Sequence, residues 1–289
     1  MNRVTLRPLA KVNLGLDIVR LREDGYHEVK MVMQTLQLHD YLSMDKLPED
    51  KITMKSNLSY LPVNENNLAV KAVKLLKDEF HIKEGVALNL KKVIPVSGGM
   101  AGGSTDAASA LWGMNRLFHL NLSKQELMER GVKLGADVPY CILRGTALSE
   151  GIGEILTSLP APPECGVLVV KPSFSVSTAK AYADYDSLTE VIHPDIDGLI
   201  EAIRAKDLDA MCAKMGNSLE LVTEAKHPMI TEIKNKMEEC GAKKAMMSGS
   251  GPTVFGIFKT LEEAESAMPV FKKKRGISQV YATTFFPKQ

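Results

Sequence analysis

The chain has 289 residues, 45% of them hydrophobic and 25% charged, with 36 Lys and Arg against 35 Asp and Glu for a formal net charge of +1. This balance suits a globular enzyme and excludes a chain too polar to collapse, while the near-zero charge leaves no basic footprint for nucleic acid. The length exceeds what one core holds most comfortably, so two domains of roughly 130–160 residues are expected.

The stretch "MNRVTLRPLAKVNLGLD" is broken by charges too often to form a signal-peptide core, and no apolar run approaches the ~20 residues of a membrane span. Cys141, Cys165, Cys212 and Cys240 are scattered and make no metal-type or redox-type pair. They read as reduced, mostly buried thiols, and a soluble cytoplasmic protein with neither membrane nor nucleic acid as partner is expected. The basic run "FKKKRG" at 271–276 reads as a solvated helix end.

From Val4 to Thr53 short alternating β-branched runs, punctuated by "REDGYHE", predict a series of antiparallel strands. "NNLAVKAVKLLKDEF" then sets Leu68, Ala72, Leu75 and Leu76 at helical spacing, with Asn66 or Asn67 as N-cap. "VALNLKKVIP" is strand-like and feeds the glycine-rich "PVSGGMAGGSTDAA", after which "TDAASALWGMNRLF" reads as a helix. "SKQELMERGVKLG" opens with Ser123 and carries Glu126 three residues on, a capping-box signature. In "ADVPYCILRG" Pro139 argues against a continuous helix, and "LPAPPE" at 159–164 is the best linker. Beyond it "GVLVVKP" predicts a buried strand, followed by helices near 195–215 and 226–239. Two strands around a glycine turn in "KKAMMSGSGPTVFGIF", a helix in "TLEEAESAMPVFKK" and a last strand in "QVYATTFF" complete the chain. Helices on one face of an antiparallel sheet describe an α+β domain, and both halves read as α+β units.

Gly98, Gly99, Gly102 and Gly103 lie directly before Ser104, Thr105 and Asp106 at a helix start. A turn needs one or two glycines. A cradle of backbone N–H groups at a helix N-terminus needs several, and it suits a phosphate. The common P-loop requires a Lys after its last glycine, where this chain has Ser104, and the dinucleotide fingerprint requires a different glycine spacing.

The spacing resembles instead the glycine-rich signature of the GHMP kinases, the superfamily of galactokinase, homoserine kinase and mevalonate kinase. Pro95, the glycines and "GGSTDAA" match, with Ala101 and Thr105 as mild departures that keep a backbone N–H and a hydroxyl. "SGSGPTVFGIF" at 248–258 resembles the superfamily's C-terminal motif. "LAKVNLGLDIVRLREDGYHE" at 9–28 lacks the basic motif and Gly-Glu-His of galactokinases and mevalonate kinases. It is similar to a branch that phosphorylates a cytidine diphosphate ester of a branched tetrol in non-mevalonate isoprenoid synthesis.

The resemblance implies a two-domain GHMP kinase fold. Residues 1–158 would form a ribosomal-protein-S5-domain-2-like ATP-binding domain and 159–289 a ferredoxin-like substrate domain, with the last strand able to return to the first. It implies ATP held by Pro95, Val96, Ser97, Gly98, Gly99, Met100, Ala101, Gly102, Gly103, Ser104 and Thr105, with adenine contacts around Asn67 and Lys92. Asp137 of "GADVPY" would be the general base and Lys11 of "AKVNLG" its partner, since a nearby ammonium keeps a carboxylate ionised and steadies transferring charge. Asp106 would cap its helix or complement the helix dipole. Asn13 would lie near the reacting end. Tyr26, His27, Thr178 and Tyr182 would serve the cytidine, whose flat ring calls for an aromatic face and polar groups. Mg2+ is implied with ATP, its ligands unassigned. Another small-molecule kinase of the homoserine or mevalonate type, and a non-catalytic nucleotide sensor, are the alternatives.

Overall fold

The computed structural model describes residues 2–287. In chain order the strands are β1 (Arg3–Leu6), β2 (Leu9–Leu21), β3 (His27–His39), β4 (Tyr41–Leu47), β5 (Ile52–Ser56), β6 (Gly85–Lys91), β7 (Thr146–Glu150), β8 (Ile155–Leu159), β9 (Gly166–Pro172), β10 (Gly216–Asn217), β11 (Lys244–Met247), β12 (Val254–Phe258) and β13 (Ile277–Thr284). The helices are α1 (Leu68–Glu79), α2 (Gly102–Leu117), α3 (Lys124–Val132), α4 (Asp137–Leu143), α5 (Thr178–Asp186), α6 (Ile196–Arg204), α7 (Leu208–Lys214), α8 (Glu220–Lys226), α9 (Met229–Glu239) and α10 (Leu261–Lys272). No described helix is long and apolar enough to cross a membrane.

The chain divides into two units that interleave in sequence. The first comprises the segment through Ala10, His39–Val96 and Ala101–Leu143; the second comprises Lys11–Leu38, Ser97–Met100 and everything from Arg144 on. A single cut at 158/159 does not follow this division. Sheet pairing is the reason: β7 pairs antiparallel with β3 and with β8, which draws 144–159 and most of β3 into the second unit.

In the first unit four strands run in the order β1-β4-β6-β5. β4 is antiparallel to both β1 and β6, whereas β5 is parallel to β6, which corrects the expectation of uniformly antiparallel strands through Thr53. A parallel neighbour needs a crossover, and α1 supplies it. Asn67 starts that helix by accepting the Ala69 N–H at 2.9 Å. Ala69, Val70, Ala72, Val73 and Leu76 are its buried residues. Helix α2 lies close to the sheet, since a Cβ on Gly113 would fall 2.2 Å from Met44 Sδ. The capping box of α3 forms, with Ser123 and Glu126 each accepting the other's backbone N–H. Pro139 does not prevent α4: it is the third residue of that helix, where the absent N–H would have had no intrahelical acceptor.

The second unit holds two sheets, β10-β2-β3-β7-β8 and β11-β12-β9-β13. The latter is antiparallel throughout, and its order together with the run β9–helices–β11–β12–α10–β13 is that of a ferredoxin-like α+β domain. Strand β9, between β12 and β13, is buried at every position, Lys171 included, which fits the apolar run Val167–Val170. The last strand stays with β9, and only the following residues reach back, where Phe286 N–H donates to Thr35 O at 2.8 Å. The helix expected over 195–215 is two, α6 and α7, and α5 and α8 were not anticipated.

Candidate active site

The glycine loop alternates its backbone hand. Ser97 (φ 51°), Gly99 (φ 75°) and Ala101 (φ 54°) are left-handed. Such alternation turns successive N–H groups toward one side and forms anion-binding concavities. Two of the three are not glycine, so the conformation carries a strain of order 1–3 kcal/mol each that surrounding bonds must hold.

In the second unit residues 97–100 are held from two sides. Lys11 N–H donates to Met100 O at 3.2 Å, and Ser248 Oγ donates to Gly99 O at 3.0 Å. A Cβ on Gly99 would come within 2.0 Å of Ser248 O, so only glycine permits this approach. The turn carrying Ser248 is braced by Asn217, whose Nδ2 donates to Met247 O at 2.9 Å and Gly249 O at 2.8 Å. Glu220 accepts the Met247 N–H at 2.7 Å and pairs with Lys234. Burial pushes the Glu220 carboxyl up to about 7 against the opposing pull of Lys234. None of Ser248, Asn217 or Glu220 stood out in the sequence beyond the glycine turn itself.

In the first unit α2 begins at Gly102, earlier than its sequence suggests, with Ala101 as an N-cap that offers no side-chain oxygen. Asp106 therefore lies past the first turn and neither caps the helix nor faces its end, contrary to the expectation for it. Its Oδ2 accepts from Lys92 Nζ at 2.8 Å, and Lys92 also bonds Asp40 Oδ2 at 2.5 Å. Burial raises Asp106 to about 8, with Lys92 opposing and Asp40 reinforcing the shift. Burial works against the Lys92 ammonium too, yet Asp106 and Asp40 together hold its pKa above the usual lysine value. The Lys92 side chain is thus occupied, and Asn57 occupies its backbone, accepting its N–H at 2.7 Å and donating to its carbonyl at 3.2 Å. That leaves Lys92 little to offer an adenine. Asn67 is equally engaged as the α1 cap.

Lys11 and Asn13 are two apart on β2 and so share a face. Both are buried, Lys11 Nζ donates to Asn13 Oδ1 at 2.8 Å, and Asn13 Nδ2 reaches Met31 Sδ at 3.3 Å. Asp137 belongs to the first unit, where it opens α4, partly exposed.

The four residues assigned to cytidine all lie in the second unit, in two groups. The His27 and Tyr182 rings are 4.7 Å apart and tilted by 36°, and His27 Nε2 donates to Asp186 Oδ1 at 2.7 Å. Thr178, one turn before Tyr182 on α5, exchanges a hydroxyl bond of 2.8 Å with Ser250. Tyr26 is 60% exposed at the β2–β3 turn, where its N–H is accepted by Asp24 at 3.1 Å. Asp186 and Ser250 escaped sequence reasoning, because neither falls in a motif with fixed spacing to its partner. Among the described residues no three or more His, Cys, Asp or Glu side chains gather as a cation site.

The family models for the GHMP kinases N terminal domain and the GHMP kinases C terminal match residues 67–145 and 199–275. A relative in Lachnospira eligens, a 4-diphosphocytidyl-2-C-methyl-D-erythritol kinase, is 52% identical over 99% of this chain and 100% of its own. The kinase of that name in Bacillus subtilis is 44% identical over 99% and 98%. A crystal structure of 4-(cytidine 5'-diphospho)-2C-methyl-D-erythritol kinase superposes with a TM-score of 0.84 at 28% identity, covering 99% of this chain and all of the other. Identity of this degree over nearly the whole length, on a fold with the same two GHMP domains, means that the chain belongs to the 4-diphosphocytidyl-2-C-methyl-D-erythritol kinase family.

Proposed function

We propose that the chain is the ATP-dependent kinase that phosphorylates the 2-hydroxyl of 4-diphosphocytidyl-2-C-methyl-D-erythritol in the non-mevalonate isoprenoid precursor pathway. The observation that carries this reading is the 52% identity, end to end, with a kinase named for that acceptor. Residues 95–105 hold the triphosphate, a role supported by the left-handed positions at 97, 99 and 101 and by a helix start without a side-chain cap. Asp137 takes the proton of the attacking hydroxyl, and the Lys11 ammonium, fixed by Asn13, steadies negative charge as the phosphoryl group moves. His27 and Tyr182, with Tyr26 and Thr178, receive the cytosine and its ribose.

Bound with ATP, Mg2+ would neutralise phosphate charge. Asp106 gives Lys92 only its Oδ2 and leaves a buried Oδ1 without a partner, so the protein oxygens in or next to the loop are that Oδ1 and the hydroxyls of Ser104 and Thr105. These oxygens would hold Mg2+, a hard cation that takes oxygen ligands. The near-zero net charge supports small-molecule partners over a polyanion, and a cytoplasmic setting supplies both ATP and reduced thiols.

The test is ADP release, coupled to a reporter, with and without the cytidylyl erythritol, and with homoserine and mevalonate as competing acceptors. Release that depends on the cytidylyl compound is expected; transfer to either competitor instead overturns the acceptor. Asp137→Asn should lower kcat by about 10³-fold or more while ATP affinity stays within about twofold. Full turnover in that variant would remove Asp137 from its role.

A further inference from the structure

Residues 95–101 join two chain ends in the first unit: the segment 92–94 that follows β6 and the start of α2 at Gly102. One side chain bonds both ends. Lys92 Nζ lies 2.5 Å from Asp40 Oδ2, 2.8 Å from Asp106 Oδ2 and 3.3 Å from Gly102 O. The second oxygen of Asp40 accepts the N–H groups of Val93 and Ile94, at 2.5 and 2.8 Å. Asp40 therefore fixes the incoming strand end, Asp106 and Gly102 belong to the outgoing helix, and Lys92 connects the two. Lys92, Asp40 and Asp106 side chains are each no more than 4% exposed.

Burying an ammonium between two carboxylates costs desolvation that apolar packing of similar volume would avoid. Apolar side chains cannot, however, bond a carbonyl and two carboxylates on separate elements and so set the distance between the ends of a loop. A loop with left-handed Ser97 and Ala101 needs such fixed ends, because nothing in those residues favours the conformation locally. An anion site works best when its donors stand in place before the charge arrives.

We propose that Lys92 is a positioning residue for phosphoryl transfer: through Asp40 on one side and Gly102 and Asp106 on the other, it sets the ends of the glycine loop so that its N–H groups are arranged before ATP binds. This rests on the reading of residues 95–105 as the triphosphate site. It assigns Lys92 no contact with ATP, and the effect on ATP runs through loop geometry alone.

The experiment is steady-state kinetics with each substrate varied, on Lys92→Met and on the double variant Lys92→Met/Asp106→Asn, with hydrogen exchange of the nucleotide-free protein. The double variant removes a buried carboxylate with the ammonium and leaves Asp40 with its two backbone donors, so it keeps the test readable if the single variant is too unstable to assay. KM for ATP should rise about tenfold or more in both, KM for the cytidylyl substrate should stay within about twofold, and amides of 96–105 should exchange faster than those of α1. An unchanged KM for ATP in the double variant, or equal changes in both KM values with uniformly faster exchange, overturns the inference. Gly99→Val, which drives a side chain into Ser248 O, separates the two levels. If it weakens ATP while the Lys92 variants do not, the loop reading stands and the positioning role falls; if it leaves KM for ATP unchanged, the loop reading falls and takes the positioning role with it.

Discussion

Two lysines of this chain lie between two carboxylates apiece, each beside the strand that runs into a glycine-rich turn. Lys92 joins Asp40 and Asp106, and Asp40 accepts the N–H groups of Val93 and Ile94 just before the 95–105 loop. Lys234 joins Glu220 at 2.9 Å and Glu224 at 2.5 Å, and Glu220 accepts the Met247 N–H just before the 248–253 turn. The chemistry is the same and the burial is not. The first group is drawn from three separate parts of the chain and is shut off from water, whereas the second comes from the adjacent helices α8 and α9 with side chains 16–20% exposed. Thr231 also gives Glu224 a hydroxyl donor at 2.8 Å. Where water can replace a lost partner, the network is a brace; where it cannot, every member depends on the others.

The largest consequence is in stability. Lys92→Met leaves two acidic side chains sealed together without their cation and should lower the unfolding free energy by about 3–5 kcal/mol. Lys234→Met opens a site that water and Thr231 can partly repair, so a loss on the order of 1–2 kcal/mol is expected, between the buried and exposed limits. Urea unfolding of both variants with a common slope checks the pair. Equal losses would mean that the burial difference has no energetic content.

A second consequence is in pH. Asp106 is raised from 3.8 to about 8 and Glu220 from 4.5 to about 7, both chiefly by burial. Over those intervals the folded state keeps protons that the unfolded chain releases, so stability is greatest below the unfolded values and falls as pH rises through the folded ones. Each group is half ionised in the folded state at its raised value, so both contribute to the decline and their contributions overlap. Unfolding free energies from pH 5 to 9 should decline less steeply in Asp106→Asn and in Glu220→Gln than in the unaltered chain. A slope in Asp106→Asn equal to that of the unaltered chain over the whole range would sink the assignment of that proton.

Such networks are where sequence reading stops. Local signals served well: Asn66 or Asn67 as a cap, the Ser123–Glu126 box and the apolar run that opens β9 each depend on residues a few positions apart. Position within an element was harder, as Pro139 shows, because a proline in a helix's first turn gives up no intrahelical bond. The parallel pairing of β5 with β6 was invisible because strand direction is set by the intervening helix, not by the strand's own residues. Lys92 and Asp40 are 52 residues apart, His27 and Asp186 159, and Thr178 and Ser250 72, and no periodicity connects them. The cytidine residues came only through resemblance, and their bonding partners not at all.

The smallest effect concerns the bond between the two glycine-rich segments within the second unit. Ser248 Oγ donates to Gly99 O, and Ser248→Ala removes that donor while leaving the turn's own bonds, Ser248 N–H to Thr253 O and Gly251 N–H to Ser248 O, in place. Loss of one buried hydroxyl bond should cost about 1 kcal/mol, a fall of roughly 2–4 °C in Tm for a chain of this size. If the Glu220–Lys234–Glu224 brace holds the 248–253 turn independently of that bond, Lys234→Met and Ser248→Ala should add in a double-mutant cycle. A coupling above about 0.5 kcal/mol would instead make brace and turn one unit. Lys234 would then act on residues 97–100 through Ser248, and the partly open network would be as much a part of the phosphate loop's support as the sealed one.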